Sequence, residues 1–470
     1  MSSALAYVGD SQGILASFRA LIDAAEHSIV LQMYLFAQNG DQTLLLPRPG
    51  AFAYAQTVAD WLIEKKRTSP AMPIVVVLDS NTPANPELTR HRGVLIRQRL
   101  QEAGVIVLNA CLFGARFDRR RRLVPPMNFH LVHPRVPAAD WVEHQNRWQV
   151  LHNVEDHRKN LVIDGGRAGA VTSHNLFDVA YDWHENLLWL TGDVARALWL
   201  SAMAALTEAL TLPQAVSERE RAALHELASR PPAEDDGREP LRPRLAQVAG
   251  YFGGAPGPMP DADAPLAEDP RCELIESAAI RPRLCALLDE SGAGDELLIA
   301  TAYFSDLDVL AAIERAAVRG ARVRVLIDSI AALPLPALAA WLTRGLVNHA
   351  VTCRALALVE RLPERFALRV HDSGRGAMMH LKTVARLGRE PVLLGGQANF
   401  TPNSFSGAYL ETDVLTRAPE IVAAFVDHFE RLWGLPESLP LRRAPGLWPA
   451  LRLRLLSLLL WLFGCCGLRP

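Results

Sequence analysis

Short apolar runs alternate along this chain with stretches whose apolar residues recur at helical spacing. The stretch LASFRALIDAAEHS leads into the nearly unbroken run Ile29 to Phe36 (IVLQMYLF), and RPRLCALLDESGAGDE leads into Leu297 to Phe304 (LLIATAYF) in the same way. Each run is followed by a helical segment. A second apolar run ending in Asp-Ser comes next: IVVVLDS at Ile74 to Ser80, and VRVLIDS at Val323 to Ser329. Continuous apolar runs predict strands buried on both faces, and the periodic stretches between them predict helices that cover those faces. The expected fold class is α/β, with two duplicated lobes that are each a mostly buried β-sheet flanked by helices.

The parallel between the halves continues. HRKNLVIDGGRAGAVTSHN runs from His157 to Asn175, and HLKTVARLGREPVLLGGQAN runs from His380 to Asn399. Both consist of His-x-Lys, an apolar strand and a small-residue turn closing on Asn. Each half then supplies an acidic residue, Glu185 or Glu411, followed by a strand and a helix ending near Trp199 or Trp433. An order of elements that repeats at every step is the signature of a duplication. The predicted organisation is an N-terminal lobe over 1–213, a Pro/Gly-rich linker or loop over 214–270, a C-terminal lobe over 271–440 and an apolar tail over 441–470.

Composition excludes some classes. Half of the 470 residues are hydrophobic and 21% are charged, enough for two large cores. The net charge of −2 lacks the global basicity of a dedicated nucleic-acid binder, so no nucleic-acid partner is expected. Arg116 with Arg119 to Arg122 is the one dense basic run, read as a solvated face or as a contact with an anionic surface. Cys111, Cys272, Cys285, Cys353, Cys465 and Cys466 show neither C-x-x-C nor His/Cys spacing, so no zinc site and no disulfide framework is expected. The N-terminal MSSALAYVGDSQG has no signal-peptide pattern, which favours a cytoplasmic setting. From Leu447 to Leu468 the chain is strongly apolar, and the 14 residues after Arg454 are uncharged, short of the roughly 20 that span a bilayer. With Arg452 and Arg454 able to snorkel and Trp448 and Trp461 near the interface, this tail is expected to lie in or dip into the inner face of a membrane. A buried terminal helix or a partner-binding helix is the other reading.

Charge usage sharpens one feature. Only four of the 49 basic residues are lysines, and two of those four, Lys159 and Lys382, stand two residues after His157 and His380. Residues two apart on an extended segment share a face, so imidazole and ammonium meet there. Asn175 and Asn399 add amide donors, giving a group suited to the nonbridging oxygens of a phosphate. Two such groups supply both ends of a phosphodiester displacement: one histidine attacks phosphorus and becomes a phosphohistidine, and the other protonates the departing alcohol. Glu185 and Glu411 are candidates to orient the imidazoles. Ser173 and Ser404 are candidates for hydroxyl contacts to substrate or for turn roles. No metal or cofactor is required by this scheme. His152, His174 and His184 are read as structural or supporting, and Asp79 and Asp328 as turn or cap residues.

These segments resemble the paired HxKxxxxD signatures of the phospholipase D superfamily, and the similarity extends from about residue 10 to 435. The first copy is full: His157, Lys159 and Asp164, then Ser173 and Asn175. In the second copy His380 and Lys382 fit, but Leu387 stands where the family has Asp. Gly395 to Asn399 and Ser404 resemble the family's downstream elements. The resemblance implies two lobes packed with both histidines at one central site, no metal ion, and Asp164 among the site residues in an orienting or supporting part. The fuller first motif leads to His157 as nucleophile and His380 as acid, and Leu387 raises the prospect of a weakened site.

The activity implied is that of a metal-independent phosphodiesterase, phospholipase D-like or cardiolipin synthase-like. It would hydrolyse or transfer the phosphatidyl group of a phospholipid to water or an alcohol, as a monomeric catalytic unit peripheral to the membrane. Near-neutral charge, the apolar tail and two lobes in one chain favour lipid. A nuclease of the same superfamily, and a membrane-associated scaffold with a degenerate site, are the alternatives.

Overall fold

The computed structural model describes residues 3–39, 50–79, 94–110, 155–211, 216–234, 241, 266–330, 348–374, 376–405 and 409–441. The basic run at 116–122, His152 and the apolar tail at 447–468 lie outside those residues.

Two eight-stranded sheets form the frame. The first has the spatial order Ala267–Glu268, Ala4–Val8, Leu187–Thr191, Ala168–Thr172, Lys159–Ile163, Ile29–Met33, Ile74–Leu78, Ile106–Asn109. The second has the order Glu273–Glu276, Thr412–Thr416, Val392–Gly396, Lys382–Leu387, Glu296–Thr301, Arg322–Asp328, Phe366–His371, Ser438–Pro440. Apart from one short edge strand in each, Ala267–Glu268 and Ser438–Pro440, the strands correspond one for one in the same order. In both sheets the strand that begins at the motif lysine is antiparallel to the first apolar run, which is itself parallel to the second. The duplication expected from the sequence is thus a duplication of topology.

Strand alternation explains why the apolar runs are unbroken. Ile29, Leu31, Ile74 and Val76 face outward onto the helices Ser11–Ala24 and Tyr54–Thr68, while Val30, Val75 and Val77 face inward. In the second lobe Leu297 and Ile299 face outward and Leu298 and Ala300 inward. The inward sets of both sheets join one apolar layer, filled by the helices Asp193–Leu210 and Pro419–Trp433 through Leu198, Trp199, Leu206, Phe425 and Phe429. Each sheet is therefore covered on both faces and needs no polar side. The two lobes share the central layer, and this fixes how they sit against each other.

The segment expected to be a linker is partly structured. Glu218–Ser229 is a helix opened by a reciprocal Ser217–Glu220 capping box, and its Leu224 and Leu227 join the central layer. Ala267–Glu268 pairs with Ala4–Val8 as the edge of the first sheet. The Pro/Gly-rich composition of the whole stretch hid the S-x-x-E start signal within it. The run Ile29 to Phe36, expected as one strand, breaks after Met33. Phe36–Ala37 then pairs with Leu176–Phe177, just beyond Asn175.

Candidate active site

The two motif segments meet at the lobe interface, and each is laid against the other lobe's acidic segment. Glu155–Asp156 pairs in parallel with Tyr409–Leu410, and the His157 N–H donates to the Leu410 carbonyl at 3.0 Å. On the other side the His184 N–H donates to the Met378 carbonyl at 2.8 Å, and the His380 N–H donates to the His184 carbonyl at 2.9 Å. These backbone bonds set Glu411 beside His157 and Glu185 beside His380. His157 Nδ1 lies 2.9 Å from both Glu411 carboxyl oxygens, and His380 Nδ1 lies 2.6 Å from Glu185 Oε1. Each imidazole thus takes its carboxylate from the opposite lobe.

The lysines complete each half-site. Lys159 Nζ is 3.2 Å from His157 Nδ1 and donates to the His157 carbonyl. Lys382 Nζ lies 2.8 Å from His380 Nδ1 and 2.9 Å from Nε2, and donates to the His380 carbonyl at 2.7 Å. Beneath them runs a buried polar layer that again crosses the interface. Asn160 Nδ2 donates to Thr412 Oγ1 at 3.1 Å, and Asn186 Nδ2 donates to Thr383 Oγ1 at 3.2 Å. In both cases one hydrogen bond joins the residue after a lysine to the residue after a glutamate, with the asparagine as donor. Gln397 Nε2 donates to Asn160 Oδ1 at 2.6 Å and to the Lys159 carbonyl at 3.0 Å. A Cβ at Gly396 would come within 2.5 Å of the Thr412 carbonyl, so only glycine lets these strands approach.

Burial sets the electrostatics. Both lysines are at most 1% exposed. Desolvation pulls Lys159 down to about 8 and Lys382 to about 7, against the raising pull of Glu411 and Glu185. His380 is lowered to about 4, first by burial and then by Lys382, with Glu185 opposing. Burial drives Glu185 up, but the His380 and Lys382 charges and the His380 hydrogen bond together outweigh it and hold the carboxyl at about 2. Burial carries Glu411 the other way, to about 8, despite Lys159. The two dyads match in shape and differ in proton affinity.

Asn175 and Asn399 are both buried, and among the described residues the Oδ1 of each has no hydrogen-bond partner. A buried amide oxygen without a partner is costly, and here two stand at matching positions of the two lobes. Ser173 and Ser404, candidates for substrate contact or for turn roles, each bond to the glutamate of their own lobe. The Ser173 hydroxyl donates to Glu185, and the Ser404 hydroxyl donates to Glu411 Oε1 at 3.0 Å. Their place is behind the carboxylates, where they hold each one toward its histidine.

Asp164, expected in an orienting or supporting part, stands apart from the two histidines. It lies at the far end of the strand Lys159–Ile163, where its carboxylate accepts three successive backbone N–H groups, from Glu26 (2.8 Å), His27 (2.7 Å) and Ser28 (2.8 Å). It braces the loop that launches the strand Ile29–Met33. The brace also steadies a turn in which Asp164, Gly165 and Gly166 all have left-handed φ of 49°, 71° and 87°. Asp328 has a positioning part, since its carboxylate accepts the Met379 N–H at 2.8 Å and so steadies the residue before His380. The His174 ring packs against Tyr54 at 4.7 Å, and the His184 ring faces His371 at 5.4 Å.

Four aromatic side chains escaped the sequence reading. Tyr34 packs on the His157 ring with centroids 4.2 Å apart, and Tyr409 stacks on it at 5.3 Å. Trp183 and Tyr303 meet the His380 ring edge-on at 5.2 and 6.3 Å. Trp183 and Tyr409 each stand two residues before the glutamate of their lobe, a spacing the sequence already carried. Tyr34 and Tyr303 are one residue out of register. Tyr34 follows Met33, the strand partner of Lys159, by one, whereas Tyr303 follows Thr301, the partner of Lys382, by two.

A twofold α/β frame with a His–Lys–Asn–Glu group from each half defines the architecture of the phospholipase D fold. Residues 284–433 match the family described as "Cardiolipin synthase, PLD-like domain". The crystal structure of phosphatidylserine synthase from Haemophilus influenzae has this fold, at 12% identity, covering 99% of this chain and 97% of that one with a TM-score of 0.60. More distant likenesses are to polyphosphate kinase from Porphyromonas gingivalis and to Nuc, a phospholipase D family member from Salmonella typhimurium. The first is 11% identical over 92% of this chain and 50% of that one, with a TM-score of 0.43. The second is 16% identical over 37% and 98%, with a TM-score of 0.27. No curated protein matches the chain in sequence. The second lobe is thus similar to that domain family, and the chain as a whole shares the fold of the synthase. Among the described residues no helix is long and apolar enough to cross a membrane.

Proposed function

We propose that this protein is a phosphatidyl-transferring phosphodiesterase, acting on a phospholipid through a phosphohistidine and passing the phosphatidyl group to water or an alcohol. One observation carries the reading: two His–Lys groups, each with its histidine bonded to a carboxylate from the opposite lobe, converge at a single interface. One imidazole can attack phosphorus while the other gives a proton to the leaving oxygen. Lys159, Lys382 and the side-chain amide N–H groups of Asn175 and Asn399 would donate to the nonbridging oxygens, and the phosphate charge would offset the cost of burying the two ammonium groups. The glutamates fix the ring orientations and the serines fix the glutamates. The chemistry needs no group beyond these side chains.

The lipid part of the reading rests on the resemblance to lipid enzymes, with a synthase of phosphatidylserine sharing the fold of the whole chain and a cardiolipin synthase family matching its second lobe. The test offers purified protein phosphatidylcholine, phosphatidylglycerol, phosphatidylethanolamine and single-stranded DNA, with and without EDTA and added ethanol. Free headgroup or phosphatidylethanol from a lipid, undiminished by EDTA, is the expected result. Cleavage of DNA alone would assign a nuclease instead, and silence on all four would assign a scaffold.

A further inference from the structure

The two histidines are alike in their partners, yet the chain approaches them in different ways. Ahead of His157, Glu155–Asp156 is seated by strand pairing with Tyr409–Leu410. Ahead of His380 the corresponding contact is an isolated bridge between His184 and Met379, and side chains of the second lobe add to it. Asp328 and His371 end two neighbouring parallel strands and stand opposite each other in register. The Asp328 carboxylate accepts the Met379 N–H at 2.8 Å, and His371 Nε2 lies 3.1 Å from the Ala377 carbonyl. A carbonyl oxygen only accepts, so in the neutral ring the His371 proton is on Nε2. Nδ1 faces Ser438 Oγ at 3.2 Å, and that hydroxyl donates to the Leu432 carbonyl at 2.6 Å. Three successive residues before His380 are therefore each held: Ala377 by His371, Met378 by the His184 N–H, and Met379 by Asp328.

His371 sits where the two lobes deliver the dyad. Its ring meets the His184 ring edge-on at 5.4 Å. The His184 N–H and carbonyl are the groups that take Met378 and His380, and the next residue is Glu185. The imidazole thus touches both the segment that carries His380 and the segment that carries its carboxylate. The 2.6 Å contact between His380 Nδ1 and Glu185 depends on the register of those two segments. The first lobe is built without this anchor. Leu78 pairs with Asn109 there, so the place opposite Asp79 falls on Ala110, which has no side-chain donor.

We propose that His371 is a positioning residue for the reaction, its Nε2–H anchoring the Ala377 carbonyl so that His380 meets Glu185 across the lobe interface. The effect on rate rests on the phosphodiesterase reading above, whereas the alignment itself can be read without substrate. Loss of the anchor leaves Lys159, Lys382, Asn175 and Asn399 in place to hold a phosphate. What falls is the share of molecules in which imidazole and carboxylate are aligned, so the loss appears in kcat and not in KM.

The experiment compares two amides at this position. His371→Gln places its nitrogen as many bonds from the backbone as the histidine Nε2 and keeps the donor to Ala377. His371→Asn places its amide where Nδ1 stood, toward Ser438, and loses that donor. Both remove the ring, so a ring that merely fills space would be missed equally in the two. Substrate-free protein labelled with 15N-histidine is read by proton NMR for the downfield Nδ1–H signal of His380, assigned by its absence from His380→Ala. The signal should persist in His371→Gln and in Ser438→Ala and disappear in His371→Asn, with the His157 signal unchanged in all three. On phosphatidylglycerol, kcat should fall about 30-fold in His371→Asn and less than about threefold in His371→Gln, with KM within about twofold of wild type. Equal losses in the two variants, a loss confined to KM, or an unchanged His380 signal in His371→Asn would overturn the positioning role. Should the asparagine variant not fold, disappearance of the signal from His371→Gln or from Ser438→Ala would overturn it as well. A wild-type protein that acts on no lipid while the NMR pattern holds would sink the phosphodiesterase reading and leave the anchor standing.

Discussion

The hairpin that follows the motif strand is built in two ways in the two lobes. In the first, Asp164 reaches across to the loop before Ile29 and gathers three N–H groups. In the second, Leu387 occupies the same register, opposite Glu296 as Asp164 is next to Ser28. The corresponding loop there supplies its own carboxylate. Asp295 stands at the register of His27, accepts the Gly292 N–H at 2.9 Å and donates its own N–H back to the Gly292 carbonyl at 3.0 Å. Gly388, with φ of 138°, leaves room for it, since a Cβ there would collide with Asp295 Oδ1. The acid missing from the second motif is therefore a missing brace in a lobe that braces itself from the other strand. It says nothing against the chemistry at the opposite end of the strand, where Lys382 and His380 stand as Lys159 and His157 do.

The sharpest way to break the equivalence of the dyads is to neutralise each carboxylate. Glu185→Gln should lower kcat by about a thousandfold, because an ionised orienting carboxylate is lost from His380. Glu411→Gln should cost about tenfold, because that position already favours the neutral form. Steady-state rates on phosphatidylglycerol decide, and equal losses would erase the distinction.

The braces come next in size. Asp164→Ala removes three charge-assisted bonds and should destabilise by about 3 kcal/mol in urea titration. Leu387→Asp should give no gain in activity and cost about 1 kcal/mol, since it places a second acid directly across from Glu296 and takes Leu387 out of its apolar contacts. A variant more active than wild type would restore the reading of Leu387 as a defect.

The smallest effect is one of slope. Glu411 rises from 4.5 to about 8 on folding, so the folded state binds the extra proton. The stability it confers is full below about pH 4.5 and is lost as pH rises through about 8. Glu185 falls from 4.5 to about 2, so its contribution is full above about pH 4.5 and is lost as pH falls toward 2. Urea midpoints measured from pH 5 to 9 should decline in the wild type and decline less in Glu411→Gln, while Glu185→Gln should keep the wild-type slope over that range.

Much of this was legible in the sequence where one period or one spacing decides the outcome. Runs such as IVVVLDS and VRVLIDS became strands covered on both faces, and the two His-x-Lys segments marked the lobe interface. Legibility failed where the partner is remote or where a small signal sits in noisy composition. Nothing in the spacing says that Glu411 belongs to His157 and Glu185 to His380, because the crossing depends on backbone pairing between lobes. The same remoteness hid the serines' attachment to the carboxylates and the Asp164 brace. The Ser217–Glu220 box was visible but surrounded by Pro and Gly.

The crossed dyads carry a consequence for timing. His157 is separated from its carboxylate by 254 residues, and His380 from its own by 195. At about 5–20 residues per second on the ribosome, His157 waits on the order of ten to fifty seconds for Glu411 to be made. The first lobe can fold meanwhile, but it holds a histidine without an orienting acid and an acid without a histidine. Neither lobe is armed until the other has docked, so a half-finished chain is an inert one.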